Sequence, residues 1–262
     1  MKVVILCGGQ GTRLREVSDN LIPKPMVPIG EHPILWHIMK HYAHYGHRDF
    51  VLCLGHLGWK IKEYFLNYHA MESDITVRLG QTPSVEIHDG GAGLDWNVTL
   101  VETGKETGTG GRIKKIARYL EGDDFMLTYG DGVSDVDLHA LERFHGSHGK
   151  LQTITGVISP SRFGELTVQD DFVVSMKEKP RAAGRFINGG FMIFRRAFLD
   201  RYLVHQQDSV MLEREPMEMA AADSELAIFR HDGFWQCVDT PRDWMTLNEA
   251  WAGKQPPWRV WS

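Results

Sequence analysis

The amino-acid sequence predicts an α/β fold with a mainly parallel mixed sheet, helices on both faces and a small antiparallel extension. Short apolar runs of strand length alternate with longer segments whose apolar residues recur at helical spacing. This alternation is expected of a parallel sheet that is covered on both faces. From residue 164 to 194, strand-like segments follow one another without a helix, and they supply the predicted antiparallel extension.

The predicted elements follow in order along the chain. Apolar runs bounded by turn residues predict strands at 3–6, 49–54, 75–79, 97–102, 124–128, 153–158 and 225–231. Apolar residues at helical spacing predict helices at 33–45, 59–68, 110–120, 137–148 and 213–222. The tail from 244 to 262 begins as a helix and ends in a stretch rich in proline and tryptophan. Since no linker divides the sequence, we predict a single Rossmann-like domain over 1–262.

Composition restricts the class of partner. The net charge of −5 argues against a nucleic-acid-binding protein, which needs a basic face. Three widely spaced cysteines without a Cys-x-x-Cys pair are typical of a reducing compartment. No apolar run approaches membrane-spanning length, and the first is too short for a secretion signal. We therefore expect a cytoplasmic protein that binds neither nucleic acid nor membrane.

The first apolar run leads into Cys7-Gly8-Gly9-Gln10-Gly11-Thr12-Arg13-Leu14. Glycines after a strand let backbone N–H groups approach a phosphate, and an arginine adds a planar cation. Leu14 stands where a dinucleotide-binding loop requires its third glycine, and no P-loop motif occurs. A simple turn is the alternative interpretation of the glycines.

A second motif downstream favours the nucleotide site. In Pro23-Lys24-Pro25-Met26, two prolines hold Lys24 on a stiff segment that cannot continue a helix. A cation fixed there could return to phosphates held by the first loop. A proline-rich connector with a solvated lysine is the alternative, and the joint occurrence of the two motifs favours the functional interpretation.

These residues resemble the signature of the sugar-phosphate nucleotidylyltransferases, also called sugar-nucleotide pyrophosphorylases. The resemblance covers essentially the whole chain. It is supported by the segments GEHPILWHIMK (30–40), WNVTLVETG (96–104), TGGRIK (109–114), TYGDG (128–132), NGGF (188–191) and GFWQCVDTPRD (233–243). It implies a nucleotide-binding half at about 1–135, a sugar-phosphate-binding half at about 136–243 and a tail at 244–262.

The resemblance also implies which residues bind the nucleotide. The predicted nucleotide-binding residues are Leu6, Cys7, Gly8, Gly9, Gln10, Gly11, Thr12, Arg13, Lys24, Thr107, Gly111, Arg112 and Gly130. Thr107 and Arg112 depart from the pattern of the uridylyl- and thymidylyltransferases. This departure favours cytosine as the base. Cys7 replaces the usual alanine of relatives, and we expect no reactivity from it.

Two aspartates are the predicted ligands of Mg²⁺. Asp131 lies between Gly130 and Gly132, just after a predicted strand. Asp239 lies among aromatic and apolar residues, where burying an unpaired carboxylate would cost free energy. One or two carboxylates with phosphate oxygens and waters suit Mg²⁺. A turn cap is the alternative role of Asp131, and a helix N-cap is that of Asp239 or Thr240. The resemblance favours the metal site.

The sugar phosphate has its own predicted residues. By resemblance, Lys179 binds its phosphate, Glu178 bonds to sugar hydroxyls, and the remaining members are Tyr129, Asn188, Gly189 and Trp235. Glu178-Lys179-Pro180 alone is typical of a solvated strand end. Asn188 and Gly189 could equally form a hairpin turn, and Trp235 could belong to the core. The predicted catalytic residues are Arg13, Lys24, Asp131 and Lys179.

His37, His41 and His44 recur at helical spacing, which could gather a metal. A zinc-protease helix would need a glutamate between the first two, and zinc needs a further ligand. Because the row lies opposite the apolar stripe of its helix, we predict that it is solvated or faces another subunit.

The resemblance implies a magnesium-dependent transfer of the cytidylyl group from CTP to a sugar 1-phosphate, with glucose 1-phosphate expected. It further implies a homo-oligomer that supplies deoxysugar precursors of surface polysaccharides such as lipopolysaccharide. One alternative keeps the chemistry but uses UTP or another hexose 1-phosphate. The other is a catalytically silent sugar-nucleotide sensor, which the intact set of charged residues disfavours.

Overall fold

The computed structural model of the chain describes residues 1–9, 11, 21–88, 94–158, 165–169, 172–177, 186–253 and 255–261. Its strands are β1 (Val3–Cys7), β2 (Pro28–Ile29), β3 (His32–Pro33), β4 (Asp49–Leu54), β5 (Ile75–Arg78), β6 (Ser84–Ile87), β7 (Asn97–Glu102), β8 (Asp124–Tyr129), β9 (Gly132–Ser134), β10 (Gln152–Val157), β11 (Glu165–Gln169), β12 (Phe172–Lys177), β13 (Ile187–Arg195), β14 (Leu226–His231) and β15 (Trp235–Cys237). Its α-helices are α1 (Ile34–His44), α2 (Gly58–Glu72), α3 (Thr109–Ile116), α4 (Leu138–His148), α5 (Glu215–Ala222) and α6 (Pro241–Ala252).

A seven-stranded sheet in the order β14-β10-β13-β8-β1-β4-β7 organises the chain. Neighbouring strands pair in parallel except β13, which runs antiparallel to both β10 and β8. The predicted α/β class with a mainly parallel mixed sheet is therefore confirmed. The predicted boundary between a nucleotide half and a sugar half stays a prediction, and β8 and β13 pair across it.

Both faces of the sheet are buried, as β1 shows. Val3, Ile5 and Cys7 point into one apolar cluster with α1, while Val4 and Leu6 point into a second cluster with α3. Such alternation places every residue of a central strand in a core, which explains why β1 is an uninterrupted apolar run. The strands β4, β7 and β8 run parallel to β1 and end at the same edge of the sheet, so the loops that follow them converge there.

The predicted antiparallel extension over 164–194 is confirmed by the β11–β12 pair, whereas the other short antiparallel pairs were not apparent from periodicity. β9 pairs with β15, β5 with β6, and β11 with β12, each as a separate two-stranded sheet. The segment predicted as a strand at 75–79 is one arm of the β5–β6 hairpin and does not join the main sheet. A π-helical turn at Leu199–Leu203 also escaped prediction. A strand of three residues is too short for alternation to reveal it.

The predicted solvated or subunit-facing histidine row is wrong for two of its three members. His37 and His41 are 0% and 2% exposed within the chain, whereas His44 is exposed. The tail packs over α1, and the Trp258 indole N–H donates to Nδ1 of His37 at 3.4 Å. The sheet covers one side of α1 and the tail covers another. The apolar stripe of a helix does not indicate that a second segment packs on its polar side.

Candidate active site

A cavity of about 370 Å³ lies at the edge where β1 and β8 end. Among the predicted nucleotide-binding residues, its lining includes Leu6, Cys7, Gly8, Gly9, Lys24, Thr107, Arg112 and Gly130. Gly11, with φ of +59°, lies beside Lys24, since a Cβ built on it would come within 3.2 Å of the Lys24 Cβ. The other predicted members of this loop, Gln10, Thr12 and Arg13, lie outside the described residues.

Arg112 holds the loops around this cavity together. Its guanidinium is buried and donates to the carbonyl oxygens of Leu54 (2.9 Å), Gly104 (2.8 Å) and Gly8 (3.1 Å). Leu54 is the last residue of β4, and Gly8 and Gly104 come just after β1 and β7, so one side chain links three strand ends. A Cβ on Gly8 would overlap the guanidinium, which explains the glycine there. The predicted nucleotide contact of Arg112 stays a prediction beside this observed role.

The start of α3 is covered by a segment of the same chain. The N–H of Gly108 donates to the Asp208 carbonyl at 2.9 Å, and that of Gly110 donates to the Val210 carbonyl at 3.1 Å. Gly111 approaches so closely that a Cβ on it would overlap the Asp208 carbonyl oxygen. The first donors of the helix are therefore engaged within the chain, and nucleotide binding by Gly111 stays a prediction.

Lys24 lies between the two predicted metal ligands. Its Nζ is 2.6 Å from Oδ2 of Asp131 and 2.7 Å from Oδ1 of Asp239. Burial lowers the pKa of Lys24, but the charges and hydrogen bonds of the two carboxylates outweigh burial and raise it above its ordinary value. Two carboxylates that converge on one cation could also hold a divalent cation. The described residues contain no third acidic, histidine or cysteine side chain that would complete such a cluster.

Backbone pairing brings the two aspartates together. Gly132 of β9 lies opposite Cys237 of β15, and the N–H of Val238 donates to the Asp131 carbonyl at 2.8 Å. The two strands therefore place Asp131 and Asp239 next to each other, although they are 108 positions apart in sequence.

The N-terminus of α6 then fixes the backbone after β15. Thr240 is its N-cap, and Oδ2 of Asp243 accepts hydrogen bonds from the N–H groups of Asp239 (3.1 Å) and Thr240 (2.8 Å). This capping box answers the alternative that Asp239 is itself the cap. The carboxylate of Asp239 instead accepts a hydrogen bond from the ammonium group of Lys24.

Four predicted sugar-phosphate residues lie together beside the cavity. The Asn188 amide donates to the Tyr129 hydroxyl at 3.2 Å, and the Trp235 indole N–H donates to the Gly189 carbonyl at 2.6 Å. This cluster joins the ends of β8, β13 and β15, which sequence alone places far apart. Glu178 and Lys179 lie outside the described residues.

Sequence reasoning missed Glu213. Its Oε1 accepts from the Tyr129 hydroxyl at 2.7 Å, and its Oε2 accepts from the Thr109 hydroxyl at 2.6 Å. Glu213 precedes α5 and lies 84 positions from Tyr129 in sequence. An isolated glutamate before a helix carries no local signal of such a contact.

A sequence profile of the family described as nucleotidyl transferase matches residues 2–253. The chain belongs to the nucleotidyl transferase family. This nucleotidyl transferase is 45% identical over 262 residues to "Glucose-1-phosphate cytidylyltransferase" of Salmonella typhi, with 100% of both chains covered. It is 42% identical over 261 residues to "Probable glucose-1-phosphate cytidylyltransferase" of Bacillus subtilis (strain 168), again with 100% of both covered.

Solved structures share the fold of this nucleotidyl transferase. The inositol-1-phosphate CTP transferase from T. maritima matches it with a TM-score of 0.62 over 95% of this chain and 96% of its own. At 16% identity this likeness shows the fold alone. Within the described ranges, no helix has both the length and the apolar character needed to cross a membrane. The family that the motifs predicted is confirmed.

Proposed function

We propose that this chain transfers the cytidylyl group of CTP to glucose 1-phosphate, giving CDP-glucose and pyrophosphate. The observation that carries this proposal is the 45% identity to a glucose-1-phosphate cytidylyltransferase over the full length of both chains. The cavity supports it, because cationic and acidic side chains meet there at the edge of a parallel sheet.

The reaction needs no covalent enzyme intermediate. A phosphate oxygen of the sugar 1-phosphate attacks the α-phosphorus of CTP, and the bond to the leaving pyrophosphate breaks with its electron pair on pyrophosphate. Both reactants are anions, so positioning and charge neutralisation supply the acceleration. Arg13 and Lys24 serve the triphosphate, and Lys179 with Glu178 serves the sugar phosphate.

Asp131 and Asp239 fit the Mg²⁺ that this chemistry uses. Both carboxylates already converge on one ammonium group within 2.7 Å, so a single cation can contact both. Mg²⁺ completes its coordination with phosphate oxygens and waters, which agrees with two protein ligands. When bound, the ion withdraws charge from the phosphate that is attacked.

The β5–β6 hairpin supports a homo-oligomer. On one of its faces Ile75 lies opposite Ile87 and Val77 opposite Val85, and these side chains are 43–60% exposed. Exposed contiguous apolar surface of this kind is typical of protein interfaces. Light scattering tests the proposal: Val77→Asp with Val85→Asp should lower the assembly mass, and Ser84→Asp should not. Unchanged mass in the double variant would remove the hairpin from the interface.

The proposed setting is the cytoplasm, where the product would supply deoxysugar synthesis for surface polysaccharides. The reducing compartment agrees with three free cysteines. The free thiols of Cys7 and Cys53 are buried, which raises their pKa and agrees with the expected lack of reactivity at Cys7.

Pyrophosphate release across CTP, UTP, GTP and ATP, each with several sugar 1-phosphates, tests the proposed reaction. CTP and UTP carry the same phosphates, so only base recognition separates them. A pocket group that the wrong base leaves unpaired costs about 1–3 kcal/mol, which predicts a CTP preference of roughly 10- to 100-fold in kcat/KM. A kcat/KM for UTP equal to that for CTP would contradict cytidylyl specificity and favour the UTP alternative. No release with any pair would favour the sugar-nucleotide sensor.

A further inference from the structure

We infer that Glu213 is a positioning residue of the sugar-phosphate site: it fixes which way the Tyr129 hydroxyl and the Asn188 amide donate and accept. The inference deepens the proposed function and rests on it, because Tyr129 and Asn188 are proposed to contact the sugar phosphate. It starts from the Glu213 carboxylate, both of whose oxygens accept short hydrogen bonds from hydroxyl groups.

The Glu213 carboxylate is fixed by Thr109, the first residue of α3. The Thr109 hydroxyl donates to its Oε2 at 2.6 Å and accepts from the Leu212 N–H at 2.8 Å. The backbone before Glu213 is fixed as well, because the Val210 carbonyl accepts from Gly110 at 3.1 Å. Glu213 is thus attached to the start of α3, which lies beside the proposed nucleotide cavity.

The ionised carboxylate imposes one direction on the hydrogen bonds that follow. It can only accept, so the Tyr129 hydroxyl must donate its single proton to Oε1 at 2.7 Å. The Tyr129 oxygen then accepts from the Asn188 amide at 3.2 Å, and Oδ1 of Asn188 accepts from the Gly190 N–H at 3.0 Å. The orientation of the Asn188 amide is therefore set at both of its ends.

The electrostatics of Glu213 agree with a role in the site. Within the described part of the chain, no lysine or arginine forms an ion pair with it, so its charge is not consumed by a structural salt bridge.

Glu213→Gln tests the inference because it keeps the shape but adds N–H donors. A glutamine amide can donate to the Tyr129 hydroxyl, which leaves the hydroxyl proton without its acceptor at position 213 and breaks the fixed direction. We expect the KM for glucose 1-phosphate to rise about 10-fold, as for one lost hydrogen bond to a charged group, with the KM for CTP and kcat nearly unchanged. Glu218→Gln, an exposed carboxylate on α5, is the matched control.

Tyr129→Phe should likewise raise the KM for glucose 1-phosphate and leave the KM for CTP nearly unchanged. In the double variant with Glu213→Gln, the KM for glucose 1-phosphate should be no higher than in either single variant. Equal changes in both KM values, an additive double variant, or an unchanged KM for glucose 1-phosphate would overturn the inference. Urea unfolding of each variant checks that the fold is retained.

Calorimetric titration with glucose 1-phosphate alone keeps this test separate from the reaction. If wild type is active with CTP but Glu213→Gln binds glucose 1-phosphate normally, only the inference fails. If wild type shows no turnover but Glu213→Gln still weakens glucose 1-phosphate binding about 10-fold, the proposed reaction fails and the positioning role stands.

Discussion

The ammonium group of Lys24 lies 2.6 Å from Oδ2 of Asp131, one of the two proposed ligands of Mg²⁺. The same ammonium group contacts Asp239, so the side chain neutralises two carboxylates that would otherwise repel each other. The proposed divalent cation would therefore compete with Lys24 for the same oxygens in the free protein.

The first prediction concerns this competition. Lys24→Met removes the ammonium group that contacts both carboxylates, so Mn²⁺ should bind the nucleotide-free variant at least about 10-fold more tightly than wild type. Electron paramagnetic resonance of free Mn²⁺ measures this without turnover. Lys60→Met, a change at an exposed lysine on α2, is the control. Weaker Mn²⁺ binding in Lys24→Met would contradict the competition.

The second prediction concerns the two carboxylates themselves. Asp131→Asn or Asp239→Asn should each lower kcat by at least ~100-fold, since each removes a strong electrostatic contact at the reacting phosphate. Turnover should also cease in EDTA and return with Mg²⁺. The exposed Asp232→Asn variant should retain activity. Full activity in EDTA, or in either Asp131→Asn or Asp239→Asn, would exclude the two-carboxylate magnesium site.

The third prediction separates the structural role of Arg112 from a role in binding. Arg112→Met removes the guanidinium hydrogen bonds to the carbonyl oxygens of Leu54, Gly104 and Gly8, so the free energy of unfolding without ligand should fall by about 3 kcal/mol. Urea unfolding measures this, with the exposed Arg143→Met as control. If Arg112 acts only on bound nucleotide, stability without CTP would equal that of wild type.

The fourth prediction concerns pH and His37. Its Nε2–H donates to the Ile29 carbonyl at 2.9 Å, while Nδ1 accepts from Trp258, and burial lowers its pKa to about 4. The unfolded chain, with a histidine pKa near 6.5, takes up this proton first. The free energy of unfolding should therefore fall as pH drops from about 6.5 to about 4, by up to about 3 kcal/mol from this residue.

Urea unfolding at pH 7 and pH 5 measures that loss. His37→Gln keeps a donor for the Ile29 carbonyl but cannot take up the proton, so its stability should fall less between the two values. His44→Gln, on the exposed side of the same helix, controls for the substitution. Equal losses in wild type and His37→Gln would show that His37 does not link stability to pH.

Local pattern was enough for the elements of the main sheet. The predicted bounds 49–54 and 97–102 agree with β4 and β7, because long apolar runs with turn residues at both ends are the clearest strand signals. The glycine motif after β1 likewise predicted where the cavity lies. These signals are local, and neighbouring residues suffice to produce them.

Contacts between distant segments were beyond the sequence. β9 and β15 are three residues each, yet their pairing brings Asp131 to Asp239. The bond from Tyr129 to Glu213 depends on the path of residues 208–213 across α3, which no periodicity encodes. The sequence offers candidate chemical groups for the site, whereas their mutual geometry comes from tertiary packing.

The Lys24–Asp239 contact joins positions 215 residues apart. On a ribosome that adds about 5–20 residues per second, roughly 10 to 40 s pass between the synthesis of these two residues. During that interval Lys24 and Asp131 can pair, but β15 and α6 do not yet exist. The nascent chain therefore acquires the second carboxylate of its proposed metal site only after β15 has been synthesised.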